Sequence, residues 1–360
     1  MSVTHAGWTA VSGASSTAVL EDFELPRLAR LAPNLTAACF GLMKLRPARH
    51  IIESAERAGL LRDGMSVIET TSGAFGLALA MVCARKPYQL TVVTDTASDE
   101  RLRRRMEQMG ARVEVVTTPG GRFGTQGARL DRLRELLAEN PASYWPNQYD
   151  NPLNPQSYAS VADYLVRRLG TFDFLVGPVG TGGSMAGIAL RLRELGIAVR
   201  IVAVDACKSV LFGQEDGARV LRGLGNSLLP KNLDHRLFDY VTWVPSADAF
   251  TACRALLSQY GLFMGPTSGA AFKVAQWWAA CQPDARVVMI GPDDGNRYID
   301  TLYYDNWYDR AISGFESCLE PLVVTHPQEQ QEAWSLMHWA RRSWEEVTGQ
   351  PTEGMTYRWR

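Results

Sequence analysis

The stretch Gly177-Pro-Val-Gly-Thr-Gly-Gly-Ser-Met-Ala-Gly187 carries the first reading of this chain. It follows an apolar run, Phe172 to Val176, and opens the segment Gly183 to Leu195, so it lies where a strand gives way to a helix. Glycines at such a junction let backbone amides converge on an anion, and the helix N-terminus adds the positive end of a dipole. Gly180, Thr181, Gly182, Gly183 and Ser184 therefore form a candidate phosphate cradle. A glycine-rich turn that holds no ligand has the same composition. The spacing fits neither G-x-G-x-x-G nor G-x-x-x-x-G-K-[ST], which argues against a dinucleotide and against a nucleoside triphosphate.

Outward from this loop, short β-branched runs alternate with longer helical segments, the pattern of strand-helix units in a parallel sheet. Met65 to Glu69, Leu90 to Thr94 and Arg112 to Val116 read as strands, with helices over Gly76 to Arg85 and Ser98 to Met109, the latter capped by Ser98. After the Asn151-Pro152 turn a second series begins. Its strands are Phe172 to Val176, Val199 to Val204 and Val287 to Ile290, and its helices are Gly183 to Leu195, Ala247 to Tyr260 and Gly269 to Cys281. The expected fold is α/β with two open lobes: an N-terminal segment 1–35 joining the large lobe, a small mobile lobe 36–150, a large lobe 151–310 and a helical extension 311–360. In that extension Trp334, Trp339 and Trp344 suggest one amphipathic helix packed on the body or on a second subunit.

With 360 residues, 46% hydrophobic and 21% charged, the chain has the composition of an ordinary globular protein with room for two lobes. A formal net charge of -1 supplies no global field for nucleic acid. Residues 1–20 lack the basic start and sustained apolar run of a signal peptide, and no run is apolar enough to span a membrane, so a cytoplasmic protein is expected. The six cysteines show no C-x-x-C pair, which favours buried reduced thiols over a metal site.

Several further stretches, in order, resemble the fold type II pyridoxal-5′-phosphate (PLP) enzymes, the cysteine synthase and cystathionine β-synthase family. Leu42-Met-Lys-Leu-Arg-Pro-Ala48 is similar to the segment carrying the Schiff-base lysine, and Thr70-Thr-Ser-Gly-Ala-Phe-Gly76 to the loop binding the substrate carboxylate. Gln148-Tyr-Asp-Asn-Pro-Leu-Asn-Pro155 resembles the glutamine loop and Gly223-Leu-Gly225 the glycine loop beside the substrate. Gly265-Pro-Thr-Ser-Gly-Ala270 resembles the segment facing the pyridine nitrogen, and Pro292-Asp-Asp-Gly-Asn-Arg-Tyr298 the closing signature. The resemblance runs from about Pro26 to Trp307. Tyr144 to Tyr149 and Ile201 to Gly213 point toward a siderophore-pathway branch that joins phosphoserine to glutamate.

The resemblance implies that Lys44 holds PLP as an imine, that the loop Gly180 to Ser184 holds its phosphate, and that Thr267 meets its ring nitrogen. Thr71, Ser72, Gly73 and Gln148 then bind the substrate carboxylate, with Gly223 and Arg222 beside the substrate and Arg222 a candidate phosphate contact. Read without the family, Lys44 and Arg222 are surface cations, Ser72 and Thr267 helix caps, and Gln148 a solvated loop residue. Three departures stand out: Ala74 replaces the usual Asn, the approach Ala38 to Met43 lacks the usual Asn-Pro-x-Gly-Ser, and Leu45 replaces an Asp.

The expected activity is β-replacement on an O-activated L-serine, O-phosphoserine or O-acetylserine, through an aminoacrylate, with a sulfur nucleophile such as sulfide or thiosulfate. An amine acceptor such as glutamate, giving an aminocarboxyethyl-glutamate or diaminopropionate-type product, is the alternative within this class. A non-catalytic PLP-fold partner is the alternative outside it. Small amino-acid substrates, a homodimer and no metal, membrane or nucleic-acid partner complete the expectation.

Overall fold

The apolar runs become eleven strands in the computed structural model, which describes residues 23–71, 73–117, 123–221 and 223–353. Three of them, β3 (Ser66–Thr70), β4 (Gln89–Asp95) and β5 (Arg112–Val116), form a small parallel sheet in the order β3-β4-β5. The others are β1 (Arg27–Ala32), β2 (Leu35–Cys39), β6 (Phe174–Pro178), β7 (Arg200–Ala206), β8 (Tyr240–Val244), β9 (Val287–Gly291), β10 (Leu322–Val323) and β11 (Ser335–His338). They build one sheet in the order β1-β2-β9-β6-β7-β8-β11-β10. Its centre, β2 through β8, is parallel, as expected of strands that read as continuous apolar runs because helices cover both faces.

The expected strands of both series are present, within a residue or two at their ends. Helices Ala74–Cys83, Glu100–Gln108, Gly183–Glu194, Ser246–Tyr260 and Pro266–Cys281 match the expected ones. The cap of the second is Asp99 in place of Ser98: its carboxylate accepts from the amides of Arg101 at 2.7 Å and Leu102 at 3.4 Å. Sequence patterning does not single out helices Leu45–Arg57, Gly124–Glu139 and Ala159–Leu169, nor β1, β2, β8, β10 and β11.

Helix Leu45–Arg57 decides where Lys44 points. Leu45, Ala48, Ile51, Ile52 and Ala55 recur at helical spacing and are buried in one core with Phe75, Ala78 and Val92 of the small lobe. Truncating a side chain such as the fully buried Ile51 to Ala costs about 2–5 kcal/mol. Pro47 falls in the first turn, where its missing amide leaves no helix bond unmade. Outside the core face, Arg46 and Arg49 pair with the buried Glu24 carboxylate, and Arg46 Nε donates to the Ser157 carbonyl at 2.6 Å.

Two expectations about organisation are corrected. The segment that joins the large sheet runs past residue 35 through Cys39, because β2 pairs along its length with β9, from Leu35 opposite Val287 to Cys39 opposite Gly291. Among the described residues the tail is not a helical extension: β11 adds antiparallel to β8, and the one helix beyond it there is the short Trp344–Thr348. Residues five apart do not share a helix face, and along this strand Leu336 enters one core while Met337 enters the core on the other face. Trp334, Trp339 and Trp344 are all buried within this chain. Among the thiols, Cys281 and Cys318 are exposed, so the expectation of buried cysteines holds for Cys39, Cys83 and Cys253.

Candidate functional site

A cavity of about 490 Å³ is lined from both lobes. Lys44, the N-cap of helix Leu45–Arg57, stands on its wall, and its Nζ donates to Thr181 Oγ1 at 3.1 Å. Burial pushes its pKa down to about 8, while the nearby Glu69 carboxylate acts in the opposite sense. An amine in this state is still mostly protonated near physiological pH but carries a far larger neutral fraction than a solvated lysine, which suits it for nucleophilic and proton-transfer work.

Across from Lys44 the loop after β6 enters helix Gly183–Glu194, whose N-terminus has no side-chain cap. Gly182 is left-handed at φ 79°, and a Cβ there would come within 2.7 Å of the Leu233 backbone. At Gly183 a Cβ would come within 2.3 Å of Asn154 Oδ1. Only glycine fits at these two positions, and Gly180, Thr181 and Ser184 face the cavity. Uncapped amides, two hydroxyls and a lysine of lowered pKa on one cavity suit a cofactor that carries a phosphate and an aldehyde.

The remaining expected residues divide into those on the cavity and those behind it. Thr71, Gln148 and Gly223 line it, and so does Ala74 at the first position of helix Ala74–Cys83. Thr71 Oγ1 accepts from the Gly73 amide at 3.0 Å, shaping the turn into that helix. Gln148 Nε2 donates to the Thr70 carbonyl at 3.1 Å, so its amide joins the two loops. Thr267 is the second residue of helix Pro266–Cys281, not its cap; it packs behind Gly223, and its hydroxyl donates to Asp293 Oδ1 at 3.3 Å. Ser72 and Arg222 lie outside the described residues.

Sequence reasoning missed several residues on the cavity and behind its wall. Glu69, fully buried at the end of β3, accepts from the amides of Thr70 and Gln148 and from Trp145 Nε1 at 3.1 Å, which ties the glutamine loop to the carboxylate loop. Its burial raises its pKa to about 7 against those hydrogen bonds. Arg129 and Gln126, from helix Gly124–Glu139, reach the same cavity beside Tyr149. Arg129 Nε lies 3.3 Å from Asp95 Oδ2, the arginine side chain being only 5% exposed, and Nη1 is buried without a hydrogen-bond partner of good geometry among the described residues. An arginine carries no motif, and only the docking of its helix brings it here. A buried charged pair between β4 and the helix that covers it is the structural signal.

The sheets and this cleft between them define a fold type II PLP enzyme, and a model of the pyridoxal-phosphate dependent enzyme family matches residues 36–293, so the chain belongs to that family and its cofactor is PLP. Two relatives described as N-(2-amino-2-carboxyethyl)-L-glutamate synthase are each 38% identical. That of Cupriavidus metallidurans aligns over 76% of this chain and 82% of its own, and that of Ralstonia nicotianae over 80% and 89%. Among solved structures, O-acetyl serine sulfhydrylase isoform 3 from Entamoeba histolytica superposes with a TM-score of 0.73 at 25% identity, covering 86% of this chain and 99% of its own. No described helix is long and apolar enough to cross a membrane.

Proposed function

We propose that the protein catalyses β-replacement on O-phospho-L-serine, exchanging its phosphate for the amino group of an acidic amino acid such as glutamate. The observation that carries this reading is Arg129, a cation buried on the cavity wall beside Asp95, whose Nη1 meets no hydrogen-bond acceptor of good geometry among the described residues. Leaving a buried charged donor unmade is costly, and a ligand oxyanion relieves that cost. The two relatives named as glutamate-joining synthases support the acceptor.

Bound PLP supplies an electron sink for the negative charge that develops on the substrate α-carbon. Lys44 would hold the cofactor, and its Nζ, oriented by the Thr181 hydroxyl, is the group placed to accept the α-proton. The Gly180 to Ser184 turn holds the cofactor phosphate with backbone amides and two hydroxyls. Thr71 and Gly73, with Ser72 between them, orient the substrate carboxylate at the start of helix Ala74–Cys83, and Glu69 keeps the Gln148 loop against them. Thr267, whose hydroxyl donates to Asp293 and whose methyl faces Gly223, would be the residue to meet the ring nitrogen of the cofactor. Arg129 holds the departing phosphate and so favours breakage of the C–O bond.

Sulfide or thiosulfate as the nucleophile is the second reading, favoured by the likeness to the sulfhydrylase. A homodimer in the cytoplasm accompanies either one. The test crosses phosphoserine and acetylserine with glutamate, cysteine, sulfide and thiosulfate on the holoenzyme. Turnover of phosphoserine with glutamate is expected, and turnover of acetylserine with sulfide alone overturns the proposal.

A further inference from the structure

The cavity wall opposite the lysine is not held by the family fold alone. Asp216, Gly217, Ala218 and Arg219 line the cavity, and they belong to a loop that leaves β7 at Ala206. Within the loop Arg219 Nη1 donates to Asp216 Oδ1 at 2.8 Å and also to the Lys208 carbonyl, and its Nη2 donates to Ser227 Oγ. Lys208 has φ +62°, a conformation that a non-glycine residue keeps only when its surroundings hold it.

What holds it is the tail. Gln214, 3% exposed, accepts from the Lys208 amide at 2.7 Å with its Oε1 and donates from Nε2 to the Gln330 carbonyl at 2.7 Å. The Glu215 amide donates to Gln331 Oε1 at 3.2 Å, and Gln328 Nε2 donates to the Gly213 carbonyl. The tail also packs closely enough that a Cβ on Gly213 would come within 2.8 Å of Thr348 Cγ2 and 3.0 Å of Pro327 Cγ. On the far side the network reaches the candidate phosphate turn: the Asn226 amide donates to Ser209 Oγ at 3.0 Å, and its Nδ2 to the Gly180 carbonyl at 3.4 Å. The tail is itself anchored by the pairing of β11 with β8, and it lies beyond residue 293, where the family match ends.

We propose that the C-terminal segment 327–348 is a positioning element of the substrate cavity, acting through Gln214 to set the Asp216 to Arg219 wall and thereby the affinity for amino-acid substrates. Gln214 touches no reacting group, so it is a positioning residue. This rests on the reading of the cavity as the substrate site, but not on the identity of either substrate.

The test uses the PLP-loaded full-length protein and two variants. Gln214→Glu keeps the acceptor for the Lys208 amide and sets a carboxylate against the Gln330 carbonyl, so it breaks the link to the tail alone. Gln328→Ala removes the exposed contact to Gly213 and leaves the core intact. Binding of L-serine and phosphoserine is followed by the change in cofactor absorbance, which needs no turnover. The half-saturation concentration should rise about tenfold for Gln214→Glu, the scale of one lost buried hydrogen bond, and about threefold for Gln328→Ala. Cofactor content should stay at the wild-type level, and kcat, measured with whichever pair turns over, within about twofold. Unchanged half-saturation in both variants overturns the proposal. So does a loss confined to cofactor content or to kcat, which is the mark of general destabilisation. If Gln214→Glu fails to fold, Gln328→Ala decides alone. A wild type that binds these amino acids without turning them over defeats the proposed reaction and leaves the test of the tail intact.

Discussion

Gly73 lies so close to Arg297 that a Cβ on the glycine would come within 2.7 Å of Nη2 and 3.2 Å of Cζ. The closing signature of the large lobe thus packs directly on the turn that opens helix Ala74–Cys83 in the small one. Gly73→Ala should displace one or the other at a cost of about 1–3 kcal/mol. We expect amino-acid affinity to fall and the cofactor to remain bound. A titration by cofactor absorbance checks this, and wild-type affinity in the variant would remove the turn from carboxylate binding.

Lys44 should be the residue that borohydride fixes to PLP, recovered in the peptide that contains it. Because burial lowers its pKa to about 8, PLP capture by the apoprotein should accelerate as pH rises through about 8 and level off well below the 10.5 of a solvated lysine. The sign for stability follows: the charged form is the disfavoured one in the fold. Apoprotein stability should therefore increase between about pH 8 and 10.5, where the folded amine is already neutral and the unfolded one still holds its proton. Capture with a midpoint near 10.5 would contradict the burial argument.

Ala74 takes a place on the cavity wall where an amide side chain could reach the cofactor. Ala74→Asn should shift the absorption maximum of the bound cofactor and leave its retention unchanged, because the Gly180 to Ser184 turn and Lys44 are separate attachments. Spectra and cofactor content measured together test this. Loss of the cofactor would mean that the space beside Ala74 is needed by the ring itself.

Arg129 should distinguish the two activated serines. Removing it alone breaks a buried charged pair with Asp95, a loss of about 3–5 kcal/mol, so the informative variant is Arg129→Gln combined with Asp95→Asn. In that protein kcat/KM for phosphoserine should fall about ten- to a hundredfold and that for acetylserine should change little, the scale expected for one lost charged hydrogen bond. Equal losses for the two donors would take Arg129 out of leaving-group recognition.

Much of the fold was legible in the chain itself. A glycine turn between an apolar strand and a helix has few conformations open to it, and the positive φ of Gly182 with no room for a Cβ at Gly183 shows why that composition marks a cradle. Strands β3, β4, β6, β7 and β9 were legible for a similar reason: largely buried on both faces, they become runs rich in Val, Ile and Leu. Lys44 could be singled out only by likeness, since one lysine looks like another. The same holds for Thr267, whose hydroxyl turns to Asp293, 26 positions away in the chain.

What tertiary structure alone decided are the relationships between distant segments. Burial of Lys44 and Glu69, the approach of Arg129 to the cavity and the clasp of Gln214 on Gln330 all arise when elements dock, and docking leaves no local period in the sequence. The tail makes the same point in its tryptophans. Their presence suggested one amphipathic helix, yet β8 offered an open edge with unpaired backbone groups, and pairing β11 to that edge buried both faces of the new strand. Local residue types determined which elements form and where the phosphate turn lies. The hydrogen-bonding needs of a sheet edge and the desolvation of charges between two lobes determined how those elements became a site.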